Sequence, residues 1–217
     1  HICHVSAGRS ADLIAWAKAH GVDITCETPP HFLLLDESAF SVYGARAKTT
    51  PPIRTLEDNQ QLWQALEDGV IDAIACDHYT ESLTPLPLDP LSISTAAAGI
   101  AGLELSLPLM MNAVLNDKFS LNRFVEATAI TPARLAGVSK TKGQLLPGMD
   151  ADFTIWDPAA NWKASRIEKF SRINTTPFLN WTLRGRICET WVRGQLVWNG
   201  ESIQKEPGYG KWIKSDH

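Results

Sequence analysis

One stretch, Ile71-Asp72-Ala73-Ile74-Ala75-Cys76-Asp77-His78, constrains this chain more than any other. Glu67-Asp68-Gly69 precedes it and Thr80-Glu81-Ser82 follows. A short apolar run between turn signals reads as a strand buried on both faces, of the kind found in parallel sheets. This one ends in a carboxylate and an imidazole. Folds with parallel sheets bind ligands at the carboxyl ends of their strands, so Asp77 reads as chemistry delivered to such a mouth. The plainer reading is a solvated Asp that caps the next segment.

The first 77 residues alternate around that strand. His1-Ile2-Cys3-His4-Val5-Ser6 is strand-like from its first residue. Residues 10–21 read as a helix, with Ser10 as N-cap and Gly21 as the stop. Residues 22–27 are a second strand, ahead of Pro29-Pro30-His31. Residues 43–50 are a third, stopped by Pro51-Pro52. Residues 56–66 are helical, with Leu56, Leu62, Trp63 and Leu66 on one side. The order β-α-β-loop-β-α-β predicts a parallel sheet with helical crossovers.

Past Asp77 the pattern changes. Residues 80–90 are rich in Pro, Ser and Thr and read as a loop over the strand end. A helix-favouring region follows, with Gly99-Ile100-Ala101-Gly102-Leu103-Glu104 in its middle and an apolar helix over 105–115. Residues 120–137 read as two short helices broken at Thr131-Pro132. From Gly143 the chain is strand-rich: 151–156 and 187–192 carry strand patterning. Arg193-Gly194-Gln195 turns into Leu196-Val197-Trp198, and 174–184 is an excursion containing Pro and Trp.

Four such strands are too few to close a barrel. A bare hydrophobic strand at His1 is also an edge that natural sheets avoid. The count fits the C-terminal half of a (β/α)8 barrel, strands 5–8, over residues 1–142, followed by a small β module over 143–217. The N-terminal half is then the first partner this chain requires. Net charge is −4 with no long Lys/Arg cluster, which argues against a nucleic-acid partner. No apolar run approaches about 18 residues, so no membrane span is expected, nor does the start read as a signal peptide. Cys3, Cys26, Cys76 and Cys188 lack metal-knuckle spacing and read as reduced core thiols of a cytoplasmic protein.

His4, His31 and Asp77 each fall at or just after the carboxyl end of a different strand, and in a parallel barrel those ends converge on one face. Imidazole and carboxylate are ligands for zinc or a similar divalent ion. A single His would read as a satisfied strand-end histidine, but two with an Asp favour a metal site. His1 competes with His4, yet three residues along a strand put the two on opposite faces.

These residues resemble the cyclic amidohydrolases, and among them the dihydroorotases and allantoinases. His1 to Ser6 is similar to the family's fifth strand with its metal-binding His, and Ile24-Thr25-Cys26-Glu27 through Pro30-His31 to the sixth with another. Lys48-Thr49-Thr50-Pro51-Pro52-Ile53-Arg54 is similar to the segment after the seventh, and Ile71 to His78 to the eighth with the catalytic Asp. Gly99 to Glu104 resembles the segment whose backbone meets substrate, and Pro147-Gly148-Met149-Asp150-Ala151-Asp152 the entry to the β module. Asn174-Thr175-Thr176-Pro177-Phe178 and Pro207-Gly208-Tyr209-Gly210 lean toward dihydroorotase.

The resemblance implies a hydrolase that opens a small cyclic amide, dihydroorotate to N-carbamoyl-aspartate, with two zinc ions and as a homo-oligomer. It implies Asp77 as metal ligand and catalytic base, His4 and His31 as metal ligands, and Thr50, Glu81, Ala101 and Gly102 as substrate contacts. The family's His-x-His on the first strand and its carboxylated Lys on the fourth would lie in the other half, so this portion alone is expected to be inactive. Two positions depart from the dihydroorotase pattern: Thr50 stands where Asn is usual, and Glu81 where a His is usual. They keep an allantoinase, or a non-catalytic homologue serving in assembly, as alternatives.

Overall fold

The computed structural model describes residues 1–79, 93–164 and 176–215. Glu81 with the loop around it, Asn174 and Thr175 lie outside the described residues.

The chain opens extended, and Ile2 pairs in parallel with Cys26. Ile2 N–H donates to Thr25 O at 2.8 Å, and Val5 N–H donates to Glu27 O at 2.9 Å. Strand β1 (Glu27–Thr28) then pairs in parallel with β2 (Ala73–Ile74), Glu27 opposite Ala73 and Thr28 opposite Ile74. Three parallel segments therefore stand side by side with their carboxyl ends together. Helix α1 (Gly8–Ala19) crosses over from the first to the second. Helices α2 (Pro30–Leu34), α3 (Ala39–Tyr43) and α4 (Leu56–Glu67) cross from β1 to β2. Asp72 binds the layers together: its carboxylate accepts from Lys18 Nζ of α1 at 2.6 Å and from Cys26 N–H at 2.8 Å.

The parallel β/α order holds, but several local expectations do not. The strand expected over 43–50 is instead the end of α3 and a 3-10 turn, Gly44–Ala47. Ala45 and Ala47 are wholly buried in that turn, their small side chains letting its backbone lie close to the core. As a result β2 lies directly against β1. The run 71–77 is not covered on both faces: Ile71 and Ala73 are buried, whereas Asp72, Ile74 and Cys76 are half-buried. Residues 99–104 are extended and turned rather than helical, and the apolar helix α5 runs Ser106–Leu115. Ser10 does not cap α1. The helix starts at Gly8, whose N–H donates to Asp58 Oδ1 on α4 at 2.9 Å, so a neighbouring helix supplies the cap. Gly8 also lies where any Cβ would run into the Gln61 side chain. Leu56 is 55% exposed; α4 buries Leu62, Ala65 and Leu66 instead. Among the cysteines only Cys26 is buried, and Cys3 is exposed.

Helix α6 (Leu121–Val125) starts at Ser120, whose Oγ accepts from Arg123 N–H at 3.2 Å. A widened turn, Glu126–Ile130, carries it into α7 (Thr131–Leu135). The widening accommodates Pro132, which has no N–H to offer a regular turn. The β module has β3 (Phe153–Lys163), β4 (Thr182–Val192) and β5 (Gln195–Trp198) in antiparallel order. Arg193 and Gly194 both have positive φ, 51° and 70°, as a two-residue hairpin turn requires. β4 begins at Thr182, within the expected excursion, because Phe178, Leu183 and Trp181 join the main core beside α5. Among the described residues no helix is long and apolar enough to cross a membrane.

Helix α4 is the best-capped element. Thr55 Oγ1 accepts from Asp58 N–H at 3.2 Å while the Asp58 carboxylate accepts from Thr55 N–H at 3.3 Å. Burial raises the Asp58 pKa, but hydrogen bonds from Thr55 and Gly8 and the charge of Arg54 outweigh it and hold it below the ordinary value. Thr55→Ala is expected to cost about 1 kcal/mol of stability at neutral pH. The Asp58 contribution is complete above its unfolded pKa and is lost as pH falls through the lower folded one, below about pH 4. Denaturant melts of both proteins at pH 7 and pH 3 check this; the gap between them should shrink in acid.

Candidate metal centre

The carboxyl ends of the three parallel segments bring His4, His31 and Asp77 together. His4 follows the first segment and adopts φ 53°; Asp77 follows β2 and adopts φ 45°. Left-handed backbone at a non-glycine residue costs roughly 1–2 kcal/mol, so two such residues at one mouth mark a place where the fold holds side chains against local preference. His31 is the second residue of α2, behind Pro29-Pro30, which starts that helix directly off β1. His4 Nε2 lies 3.8 Å from Asp77 Oδ1, and His31 Nε2 lies 3.7 Å from Asp77 Oδ2.

Both distances exceed a hydrogen bond. Ligands held at about 2.1 Å around a tetrahedral zinc stand about 3.4 Å apart, so the separations suit donors sharing a cation. His31 is 2% exposed, and its Nε2 has no hydrogen-bond partner. An unpartnered buried nitrogen is costly unless something else satisfies it. Burial, with the charge of His4 adding, pushes the His31 imidazole down to about pKa 3, so its ring is neutral at pH 7, the form that binds metal. The donor set fits a divalent cation.

The remaining expected residues fall around this centre unevenly. Ala101 and Gly102 are buried, and Ile100 pairs in parallel with His78, next to Asp77. Lys48 O accepts from Gly99 N–H at 2.8 Å, which draws the segment before Thr50 to the same neighbourhood. Thr50 itself is exposed; its neighbour Thr49 has a buried Oγ1 without a partner. Sequence reasoning passed over Lys48 and the ring of His78, since both act through contacts far away in the chain, and over the buried, unpartnered hydroxyl of Thr49.

His1 stays apart from the centre, as the strand alternation requires. Its Nδ1 lies 2.8 Å from Thr25 Oγ1 and its Nε2 lies 3.2 Å from Glu27 Oε2. With Cys3 it forms a second group of potential ligands, His1, Cys3 and Glu27, all within 4.8 Å. That group is tighter than the trio around Asp77. We favour the latter because both His1 nitrogens already have partners, whereas His31 Nε2 has none. Burial pushes the Glu27 carboxyl above its ordinary pKa, with the charge of His4 opposing.

The amidohydrolase family model matches residues 1–197. The chain belongs to the amidohydrolase family. With that membership come the (β/α)8 barrel fold and support for dependence on a divalent metal. This amidohydrolase chain is 38% identical over 198 residues to the dihydroorotase of Geobacter sp. (strain M21), covering 91% of the chain and 45% of that relative. It is 39% identical to the dihydroorotase of Citrifermentans bemidjiense, covering 91% of the chain and 46% of the relative. In structure it resembles the L-hydantoinase (dihydropyrimidinase) of Arthrobacter aurescens, with TM-score 0.88 and 32% identity over 96% of this chain and 47% of that one. A D-hydantoinase superposes with TM-score 0.90 at 25% identity, over 98% of this chain and 47% of that one. The chain thus spans slightly less than half the length of the proteins it matches.

Proposed function

We propose that the protein containing this chain opens a cyclic amide ring, with dihydroorotate as substrate and N-carbamoyl-aspartate as product. The approach of His4 Nε2 and His31 Nε2 to the two oxygens of Asp77 carries the reading. The dihydroorotase relatives support the substrate. In this reading residues 1–142 belong to the C-terminal half of the barrel, to which they bring the three parallel segments and their helices, and 143–217 are the β module. His4, His31 and Asp77 would hold divalent metal, two zinc ions when the remaining ligands come from the other half of the barrel. Bound metal supplies Lewis acidity and a water acidified toward neutral pH. Asp77 takes the proton from the attacking water and delivers it to the ring nitrogen that leaves. The amide C–N bond breaks as the C–O bond forms, and the proton balance closes on Asp77. Backbone near Ala101 and Gly102, with Thr50, borders the substrate.

The hydantoinase neighbours favour a second reading, hydrolysis of a neutral cyclic ureide, and Thr50 in place of Asn fits it. The test is turnover by the full natural polypeptide that contains these residues, zinc-loaded, with dihydroorotate, hydantoin and allantoin in parallel. Preference for dihydroorotate by about tenfold or more in kcat/KM, about 1.4 kcal/mol in transition-state binding, is the expected result. Preference for hydantoin or allantoin moves the assignment to the ureides. No turnover with metal bound leaves a non-catalytic homologue.

A further inference from the structure

We infer that His78 is a positioning residue: its ring locks Gly102 and thereby sets the Ala101 peptide against the substrate. The inference rests on the reading above, in which the segment 99–104 borders the ring being opened.

His78 Nδ1 accepts from Gly102 N–H and from Leu103 N–H, both at 3.1 Å. Both donors are backbone N–H groups, so Nδ1 is the acceptor. Tyr79 N–H donates to Ile100 O at 3.2 Å, so two successive residues after Asp77 grip the same segment. From the other side Gly99 N–H donates to Lys48 O, and Lys48 Nζ donates to Ala96 O at 2.6 Å. The fit at Gly99 excludes any side chain. A Cβ on Gly99, whose φ is +142°, would lie 2.3 Å from the Tyr79 side chain.

This changes the division of labour between Ala101 and Gly102. Gly102 has both backbone groups committed inside the protein: N–H to His78, and carbonyl to Leu105 N–H at 3.0 Å and Ser106 N–H at 2.8 Å. A peptide so occupied holds a loop; it does not offer hydrogen bonds to a substrate. Substrate contact from this pair then falls to Ala101, and its position is set by the clamp one residue later. Asp77 and His78 are adjacent, and His78 pairs in parallel with Ile100, so the carboxylate and the Ala101 peptide are held to a common frame. Such preorganisation shows first in substrate binding.

The test compares His78→Ala, His78→Asn and His78→Gln in the full natural polypeptide. The Asn amide oxygen reaches the place of Nδ1, whereas Gln extends past it. Two readouts are taken: exchange of the Gly102 and Leu103 amide hydrogens, and KM and kcat for dihydroorotate. His78→Ala and His78→Gln should speed exchange at both amides by about tenfold or more. They should raise KM by about tenfold to a hundredfold with a smaller fall in kcat and unchanged metal content. His78→Asn should recover most of both. Unchanged exchange overturns the clamp, and fast exchange with unchanged KM reduces His78 to loop packing and overturns its role. Should His78→Ala fail to fold, the Asn and Gln pair decides. If the wild-type protein opens no ring amide, the reaction reading falls while the exchange readout still tests the clamp.

Discussion

Asp77→Asn in the full natural polypeptide should lower kcat on dihydroorotate by about 10²–10⁴-fold, the usual cost of losing a general base, while much of the metal stays bound. The substitution is a clean probe. Asp77 sits at φ 45°, and Asn tolerates left-handed backbone as well as Asp does, so the turn survives. The amide keeps one oxygen toward the cation but cannot carry a proton at neutral pH. His4 and His31 remain at the centre. Turnover at fixed zinc with metal content measured on the same sample checks both halves of the expectation. A near-wild-type kcat removes Asp77 from proton transfer; complete loss of metal with loss of turnover makes it a ligand only.

Arg123→Met should lower stability by about 3 kcal/mol or more, because it strips a buried charged donor from several carbonyls at once. Arg123 is 7% exposed. Its Nε donates to Leu66 O at 2.6 Å, its Nη2 donates to Ile71 O, and its Nη1 pairs with Glu126 at 2.7 Å. Leu66 O belongs to the last turn of α4 and Ile71 O to the approach to β2, so one guanidinium closes a helix and fixes the strand that carries Asp77. Met fills the space and leaves those carbonyls without a donor. In a protein of about 150–250 residues that loss is a melting-temperature drop of roughly 6–12 °C, and less in a longer one. Arg123→Lys should fall between, since a point charge cannot reproduce the planar fork. Thermal unfolding of the three proteins checks the order, and a drop of under 1–2 °C for Met would mean that water satisfies the carbonyls.

Arg123 was not visible as a structural residue in the sequence, where it is one arginine in a short helix. Its importance comes from partners more than 50 positions earlier, which no local pattern encodes. His78 behaves the same way. It drew notice only as the neighbour of Asp77, and its bonds go to Gly102 and Leu103, about 25 positions later in the chain. The missed cap of α1 has a similar origin: Ser10 is a good capping residue by type, but Asp58 on another helix reaches the first turn before it. Glu81, expected to discriminate between substrates, lies outside the described residues.

The sequence by itself marked the parallel β/α order up to Asp77 apart from the strand expected over 43–50, the hairpin turn at Arg193-Gly194, and the places of His4, His31 and Asp77 at or just after segment ends. Each depends on a short-range signal: an apolar run between turn residues, a two-residue turn at Arg193-Gly194, or a ligand-type side chain at a strand end. Only the tertiary structure decided that 43–50 is not a strand, that β2 lies directly beside β1, and that 99–104 is extended along His78 and Tyr79. In each case packing overrode local preference. Buried Ala45 and Ala47 fit a tight turn within the core, and Gly99, at φ +142°, leaves room for the Tyr79 side chain where any Cβ would clash.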